Sequence, residues 1–328
     1  SCGGTSDGTL EPMTRVAAID CGTNSIRLLV ADVDPLAGTV RDLDRRMEIV
    51  RLGQGVDRTG MLAPEALERT FEAARRYGEV IAELGAERVR FVATSASRDA
   101  SNSDVFVAGV REILGVEPEV VSGREEAELS FRGATSVLAG AHPGPFLVVD
   151  IGGGSTEVVL GSGGVESAAS ADVGCVRLTE RRLAGDPPTP EQVEAASADV
   201  RAALDKVAAQ VDLARTATLV GLAGSVTTVT AHALGLASYD PVPIDGAALE
   251  PEAVLAAARG LLEMPRAERA ELGFMHPGRV DVIGAGALVW ALVVERVREE
   301  VAAAGGQLGA VVTSEHDILD GIALSVAS

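Results

Sequence analysis

The sequence predicts an α/β protein of two domains, each a mixed sheet laid down in the order βββαβαβα, with an active-site cleft between them. Three observations carry this. The chain has 328 residues, more than one domain of about 150 residues ordinarily holds. Three apolar segments joined by tight turns come before the first helix, so strict βαβ alternation is excluded and the sheet must mix antiparallel with parallel strands. The pattern then starts again. Asp20-Cys-Gly-Thr-Asn-Ser-Ile-Arg-Leu-Leu-Val and Asp150-Ile-Gly-Gly-Gly-Ser-Thr-Glu-Val-Val-Leu carry Asp, Gly and Ser at the same offsets, 130 residues apart. A duplicated unit usually binds its ligand where the copies face each other.

The elements follow in order. Segments 15–22, 26–33 and 39–52 read as strands. Pro64 at a first-turn position opens a helix with apolar residues at helical spacing that ends at Gly85. A strand at 89–96, a helix at 103–114, a strand at 118–122 and a helix at 125–138 complete the first unit. In the second unit, strands at 146–151, 156–160 and 165–173 surround Gly-rich turns, and helices cover 190–211 and 253–263. A strand at 217–222 runs through Ala223-Gly224-Ser225 into a helix, and a further helix (280–303), a strand (309–313) and a closing helix (316–327) finish the chain. The predicted domains are 13–135 and 136–312, with 313–328 as a terminal helix. Residues 1–12 lack an apolar stretch and precede the first methionine, Met13, so they read as an appended remnant or disordered leader.

Composition narrows the function. Hydrophobic residues make up 47% of the chain but aromatics only 3%, so the core must be aliphatic. Against 48 Asp+Glu stand 28 Lys+Arg, a formal charge of −20 that suits neither a duplex-binding protein nor a basic membrane-surface protein. No run of 18 apolar residues spans a membrane. Cys2, Cys21 and Cys175 form no CxxC pair, which fits a reducing cytoplasm. The charge is uneven. Residues 13–98 hold 13 Arg and 13 acidic residues, whereas 99–328 hold 15 basic against 33 acidic. A polyanion is therefore expected to approach along the first lobe. Nearly every cation is Arg, Lys206 being the one lysine.

The chemistry lies in the turns. Gly22-Thr23-Asn24-Ser25 and Gly152-Gly153-Gly154-Ser155-Thr156 each follow an Asp at a strand end. Backbone N–H groups and hydroxyls in such a turn form an anion nest, and the carboxylate is placed to hold a hard cation that shares phosphate oxygens. Ordinary hairpin turns are the plainer alternative for either copy alone. Gly224, Ser225 and Thr227 form a third candidate at a strand-to-helix junction, where a simple N-cap by Ser225 is the competing reading. The four histidines form no zinc spacing, and Cys21 has no basic neighbour to make it a nucleophile.

Taken together, Asp20-x-Gly-x-Asn-Ser, Ser122-Gly-x-Glu-Glu-Ala127, Asp150-Ile-Gly-Gly-Gly-Ser-Thr-Glu157, Gly174-Cys-Val176 and Gly224-Ser225 resemble the exopolyphosphatase and guanosine pentaphosphate phosphatase family, in its short two-domain form, within the actin-like phosphotransferase superfamily. The resemblance covers about residues 15–324. It implies two actin-like (ribonuclease H-like) domains, a terminal helix crossing back to the first, and Mg²⁺- or Mn²⁺-dependent hydrolysis of terminal phosphate from inorganic polyphosphate. Guanosine pentaphosphate is the alternative substrate. An ATP-dependent kinase or ATPase is a second alternative, since Val282-Ile-Gly-Ala-Gly-Ala287 is similar to an adenosine-binding element of that superfamily. By the resemblance Glu126 is the general base, with Glu125 and Glu128 as rivals. Asp150 and Glu157 are metal carboxylates, Asp20 adds a water-mediated one, and Arg98 contacts phosphate, a surface ion pair being the plainer reading of that arginine. Nucleic acid and membrane partners are not expected; a homodimer is left open.

Overall fold

The central strand of the first sheet is apolar on both faces because helices cover both. In this computed structural model, which describes residues 13–327 apart from 35 and 139, β1 (Thr14–Cys21) pairs antiparallel with β2 (Ser25–Asp34), and β2 with β3 (Thr39–Ile49). The predicted leader, 1–12, lies outside the described residues. After α1 (Val56–Thr59) and α2 (Pro64–Leu84), β4 (Arg88–Ala93) joins β1 in parallel. Next come α3 (Ser95–Asp99), α4 (Ser103–Leu114), the short β5 (Glu119–Val120) and α5 (Gly123–Leu138). The sheet order is β3-β2-β1-β4-β5.

The second half repeats it. Strands β6 (Phe146–Ile151), β7 (Thr156–Gly161) and β8 (Val165–Ala171) are antiparallel neighbours. They are followed by α6 (Cys175–Arg182), α7 (Pro190–Ala208), β9 (Thr218–Leu222), α8 (Ala223–Ala233), α9 (Pro241–Ile244) and β10 (Ala248–Leu249). Helices α10 (Pro251–Glu263), α11 (Arg266–Ala270) and α12 (Ile283–Ala303), then β11 (Val311–Thr313) and α13 (Ile318–Ala327), end the chain. The order β10-β11-β9-β6-β7-β8, read backwards, is the first sheet's order with β10 added at the edge. Two mixed sheets flanked by helices make the predicted actin-like α/β architecture.

Alternation along the central strands shows how the faces are covered. Ala17, Ile19 and Cys21 pack with Leu67, Tyr77 and Phe106 of α2 and α4, whereas Val16 and Ala18 pack with Ile318 and Ile322 of α13. On β6, Leu147 and Val149 face Val229 and Trp290 of α8 and α12, while Phe146 and Val148 face Ala127, Phe131 and Ala134 of α5. Each half thus lends its last helix to the other half's sheet. The predicted cut after residue 135 passes through α5, and the terminal helix lies on the first sheet. The two lent helices cross at glycines. A Cβ on Gly133 would lie 1.8 Å from the Asp317 carbonyl oxygen, and one on Gly321 1.9 Å from that of Leu129.

Several bounds differ from the sequence reading. The third strand stops at Ile49, not 52, because the N–H groups of Val50 and Arg51 turn to the Asn24 carbonyl at 3.1 and 2.9 Å. The fourth stops at Ala93, and 95–99 is a helical turn whose contacts are tertiary, so no periodicity announces it. Helix α6 is likewise too short for a periodic signal.

Candidate active site

Asp20 and Asp150 stand near the carboxyl ends of β1 and β6, the central strands, and the turns after them have one geometry. Gly22 N–H donates to the Ser25 carbonyl at 2.9 Å, and Gly152 N–H to that of Ser155 at 3.0 Å. The turns face each other: a Cβ on Gly153 would lie 2.8 Å from Thr23 Cβ. At the end of β9, Ala223 takes the left-handed region (φ 69°), which turns the chain sharply into α8. A single cleft between the lobes results. Among the predicted residues, Asp20, Gly22, Thr23, Asn24, Ser25, Glu126, Asp150, Gly152, Gly153, Gly224 and Ser225 line it.

The remaining predicted residues stand behind that lining. Gly154 packs against Ser95 and Thr23, whose hydroxyls share a hydrogen bond of 2.8 Å. Ser155 is buried, and Thr156 donates its hydroxyl to the Val173 carbonyl at 2.6 Å. Thr227 is buried in α8. Arg98, on α3, donates to the Val121 carbonyl at 2.9 Å and to Glu126 Oε2 at 3.1 Å, so its ion pair is made with a cleft carboxylate and not at the open surface. Glu125 points out to Arg90 and Glu128 to Arg124, away from the cleft.

Five carboxyl groups, those of Asp20, Glu126, Asp150, Glu157 and Asp317, are buried close together, and burial is the largest influence on the first four. It raises Asp20, opposed by Arg27, whose Nε and Nη2 donate to Oδ2 at 3.0 and 2.7 Å. Burial, with Asp317 adding, pushes Asp150 up to about 6, although Ser130 donates to it at 2.7 Å. Burial and the Asp150 charge push Glu157 up to about 8. Its Oε1 accepts from Ser170 at 2.7 Å, and its Oε2, buried near the Ser155 hydroxyl, has no hydrogen bond of good geometry among the described residues. Burial and Glu157 raise Glu126 well above the carboxylate range, while Arg98 pulls it back.

Sequence reasoning missed two arginines of this cleft. Arg27 bridges Asp20 and Asp317, its Nη1 donating to Asp317 Oδ2 at 2.5 Å. A signal existed: in the antiparallel β1–β2 pair Arg27 lies directly opposite Asp20. Arg279 has no such signal. It comes from the approach to α12, lies within 2.4 Å of where a Gly224 Cβ would be, and forms no ion pair among the described residues. Arg27 and Arg279 also line an adjoining cavity of about 770 Å³, walled by Tyr239, Phe274, Met275 and Val242. By contrast, many first-lobe arginines expected to line an approach route are held in ion pairs, as in Arg46–Asp44, Arg76–Glu48 and Arg90–Glu119.

Fold and cleft together define a two-lobed actin-like α/β protein whose interlobe site sets Gly/Ser/Thr turns against buried carboxyl groups. The chain belongs to the Ppx/GppA phosphatase family, whose model matches residues 29–311. It is 51% identical over 322 residues to exopolyphosphatase 2 of Mycobacterium tuberculosis, covering 96% of this chain and 99% of that protein. Over 211 residues, 64% of this chain and 42% of the relative, it is 36% identical to a guanosine-5'-triphosphate,3'-diphosphate pyrophosphatase of Photobacterium profundum. Among solved structures, an exopolyphosphatase-like protein superposes with a TM-score of 0.93 at 48% identity, covering 96% of this chain and 98% of that one. The Ppx/GppA enzyme of Aquifex aeolicus does so with 0.77 at 32% identity, covering 96% and 100%.

Proposed function

We propose that this protein is an exopolyphosphatase: a water attacks the terminal phosphorus of inorganic polyphosphate, the bond to the bridging oxygen breaks, and the chain leaves one unit shorter. The observation that carries the reading is Glu126, a buried carboxyl group on the cleft wall, facing two Gly/Ser/Thr turns from opposite lobes. Burial and the neighbouring Glu157 raise it, and Arg98 opposes that rise and so favours the ionised form that a base needs. Arg98 fixes Oε2, and the other oxygen accepts the water's proton. Arg98 acts through Glu126, while the N–H groups of residues 23–25 and 153–154 with Ser225 hold the terminal phosphate in line.

The donor set fits a divalent cation of the Mg²⁺ type. Asp150 and Glu157 are buried oxygen donors that repel each other, and Glu157 Oε2 has no hydrogen bond of good geometry among the described residues. Among the described residues no three His, Cys, Asp or Glu side chains converge as a complete metal cage. Mg²⁺ or Mn²⁺ is commonly held by one or two carboxylates together with waters and substrate phosphate, which is what Asp150 and Glu157 would supply. Asp20, whose Oδ2 accepts from Arg27, would add a water-mediated ligand to such an ion. When bound, the ion offsets charge on the phosphate oxygens.

Guanosine pentaphosphate is the second reading, favoured by the cavity of about 770 Å³ beside the cleft, whose aromatic and apolar wall suits a nucleoside. For the ATP-dependent alternative, Gly284 and Gly286 lie in the first turn of α12, packed against Arg269 and Ser225, and Val282 and Ile283 ahead of them line the cleft, so ATP is among the substrates to assay. The deciding experiment measures phosphate release from polyphosphates of defined length, guanosine pentaphosphate and ATP, with and without Mg²⁺, for wild type and Glu126→Gln. Release from polyphosphate that needs Mg²⁺ and Glu126 is expected. Unchanged release in Glu126→Gln rules out this base.

A further inference from the structure

We infer that the pocket between α6 and α7 is a second anion site, separate from the cleft, that takes a pyrophosphate-like polyanion and competes with the first lobe for the arginines of α6. The pocket measures about 550 Å³ and lies at the end of β8. Arg177, Arg181, Arg182 and Lys206 line it, four of the 15 cations in the acidic stretch 99–328, with Asp172 and Asp199 as the opposing charges. Lys206, exposed on the last turn of α7, forms no ion pair among the described residues. Arg182 pairs with Asp199 at 2.7 Å. Three guanidinium forks and an ammonium around one concavity match the several oxygens of a phosphate chain.

The pocket is walled off from the catalytic cleft. Gly154 packs on Thr23 and Ser95, leaving a gap of only about 10 Å³ beside Arg177 at the lobe seam. An anion in the pocket therefore does not occupy the terminal-phosphate position. It does meet residues that clasp the lobes. Arg181 donates to both Asp57 oxygens at 2.5 Å, and Arg177 pairs with Asp99 and faces Asp57 at 3.7 Å; both carboxylates belong to the first lobe. The N–H groups of Cys175, Val176 and Arg177 bind the Gly152 and Gly153 carbonyls at 2.9–3.0 Å, so α6 rests directly on the second anion-binding turn. An anion that draws Arg177 and Arg181 from Asp99 and Asp57 loosens the clasp, and by linkage the clasp weakens the anion.

Pyrophosphate titrated into the whole protein by calorimetry, without Mg²⁺, tests this. The double variant Arg182→Ala/Lys206→Ala, whose residues are exposed, is expected to lose one binding component by about tenfold or more. Asp57→Asn is expected to strengthen the same component severalfold, because Arg181 is then free; Asp99→Asn serves if Asp57→Asn does not fold. Equal melting midpoints for the double variant and wild type check the fold. An isotherm unchanged in the double variant, or no binding to wild type, overturns the site. Weaker or unchanged binding in Asp57→Asn overturns the competition with the first lobe.

Discussion

Glu126 and Arg98 form a pair in which one side chain tunes the other. Arg98 opposes the burial that raises Glu126, so Arg98→Gln should move the acid limb of the kcat/KM–pH profile upward while kcat on the high-pH plateau falls much less. An unshifted limb means Arg98 does not set that group. Gly153→Ala should cost at least about tenfold in kcat/KM, because its Cβ would meet Thr23 at 2.8 Å and part the two turns by several tenths of an ångström, a misplacement of the kind that costs catalysis heavily. Measured activity with an unchanged melting midpoint checks this. Much of the lining was legible in the sequence because a turn that nests an anion needs Gly, Ser, Thr and Asn in consecutive positions. Arg279 was not. Its place in the cleft depends on a segment 55 residues beyond Gly224 folding back, which no local pattern records.

At the level of elements, strands and long helices were readable and short helices were not. Helix α2 carries its own start at Pro64 and stop at Gly85, and α7 closes a capping box between Thr189 and Gln192. Thr189→Ala should therefore lower stability by about 1 kcal/mol, read by denaturant unfolding, without changing activity. The 4-residue helices α1 and α9 and the 5-residue helices α3 and α11 bury too little in a row to print a period. The crossing of α5 and α13 is the element-scale feature most sensitive to substitution. Gly321→Ala places a methyl against the Leu129 carbonyl at 1.9 Å, so backbone must move, and a loss of about 3 kcal/mol is expected. A variant as stable as wild type would show that the crossing yields without cost.

For the whole molecule, the buried carboxyl cluster links stability to pH and metal. Glu157 and Asp150 have folded-state pKa values of about 8 and about 6, above those of an unfolded chain. Their contribution is thus fully present below the ordinary carboxylate range and is lost as pH rises through 6 and then 8. Metal-free protein should lose thermal stability across that window, and Mg²⁺ should raise the melting midpoint more at pH 8 than at pH 6, since it binds the ionised forms. Glu157→Gln should flatten both trends in differential scanning calorimetry. The net charge of −20 describes the average surface; in the cleft Arg27 and Arg279, with Arg98 behind the lining, stand among uncharged turns and the buried carboxyl groups of Asp20, Glu126 and Asp150. The sequence by itself determined the duplicated α/β plan and both Asp-led turns, because strand periodicity and turn chemistry are local; Glu126 was named there only through the family resemblance, with Glu125 and Glu128 as rivals. The return of the terminal helix to the first sheet was expected from the family resemblance, whereas only the tertiary structure decided the packing of α5 on the second sheet, the Arg27–Asp20–Asp317 bridge and the basic pocket on α6. Those rest on contacts between residues far apart in the chain, where packing and charge pairing act through space and leave no periodic trace.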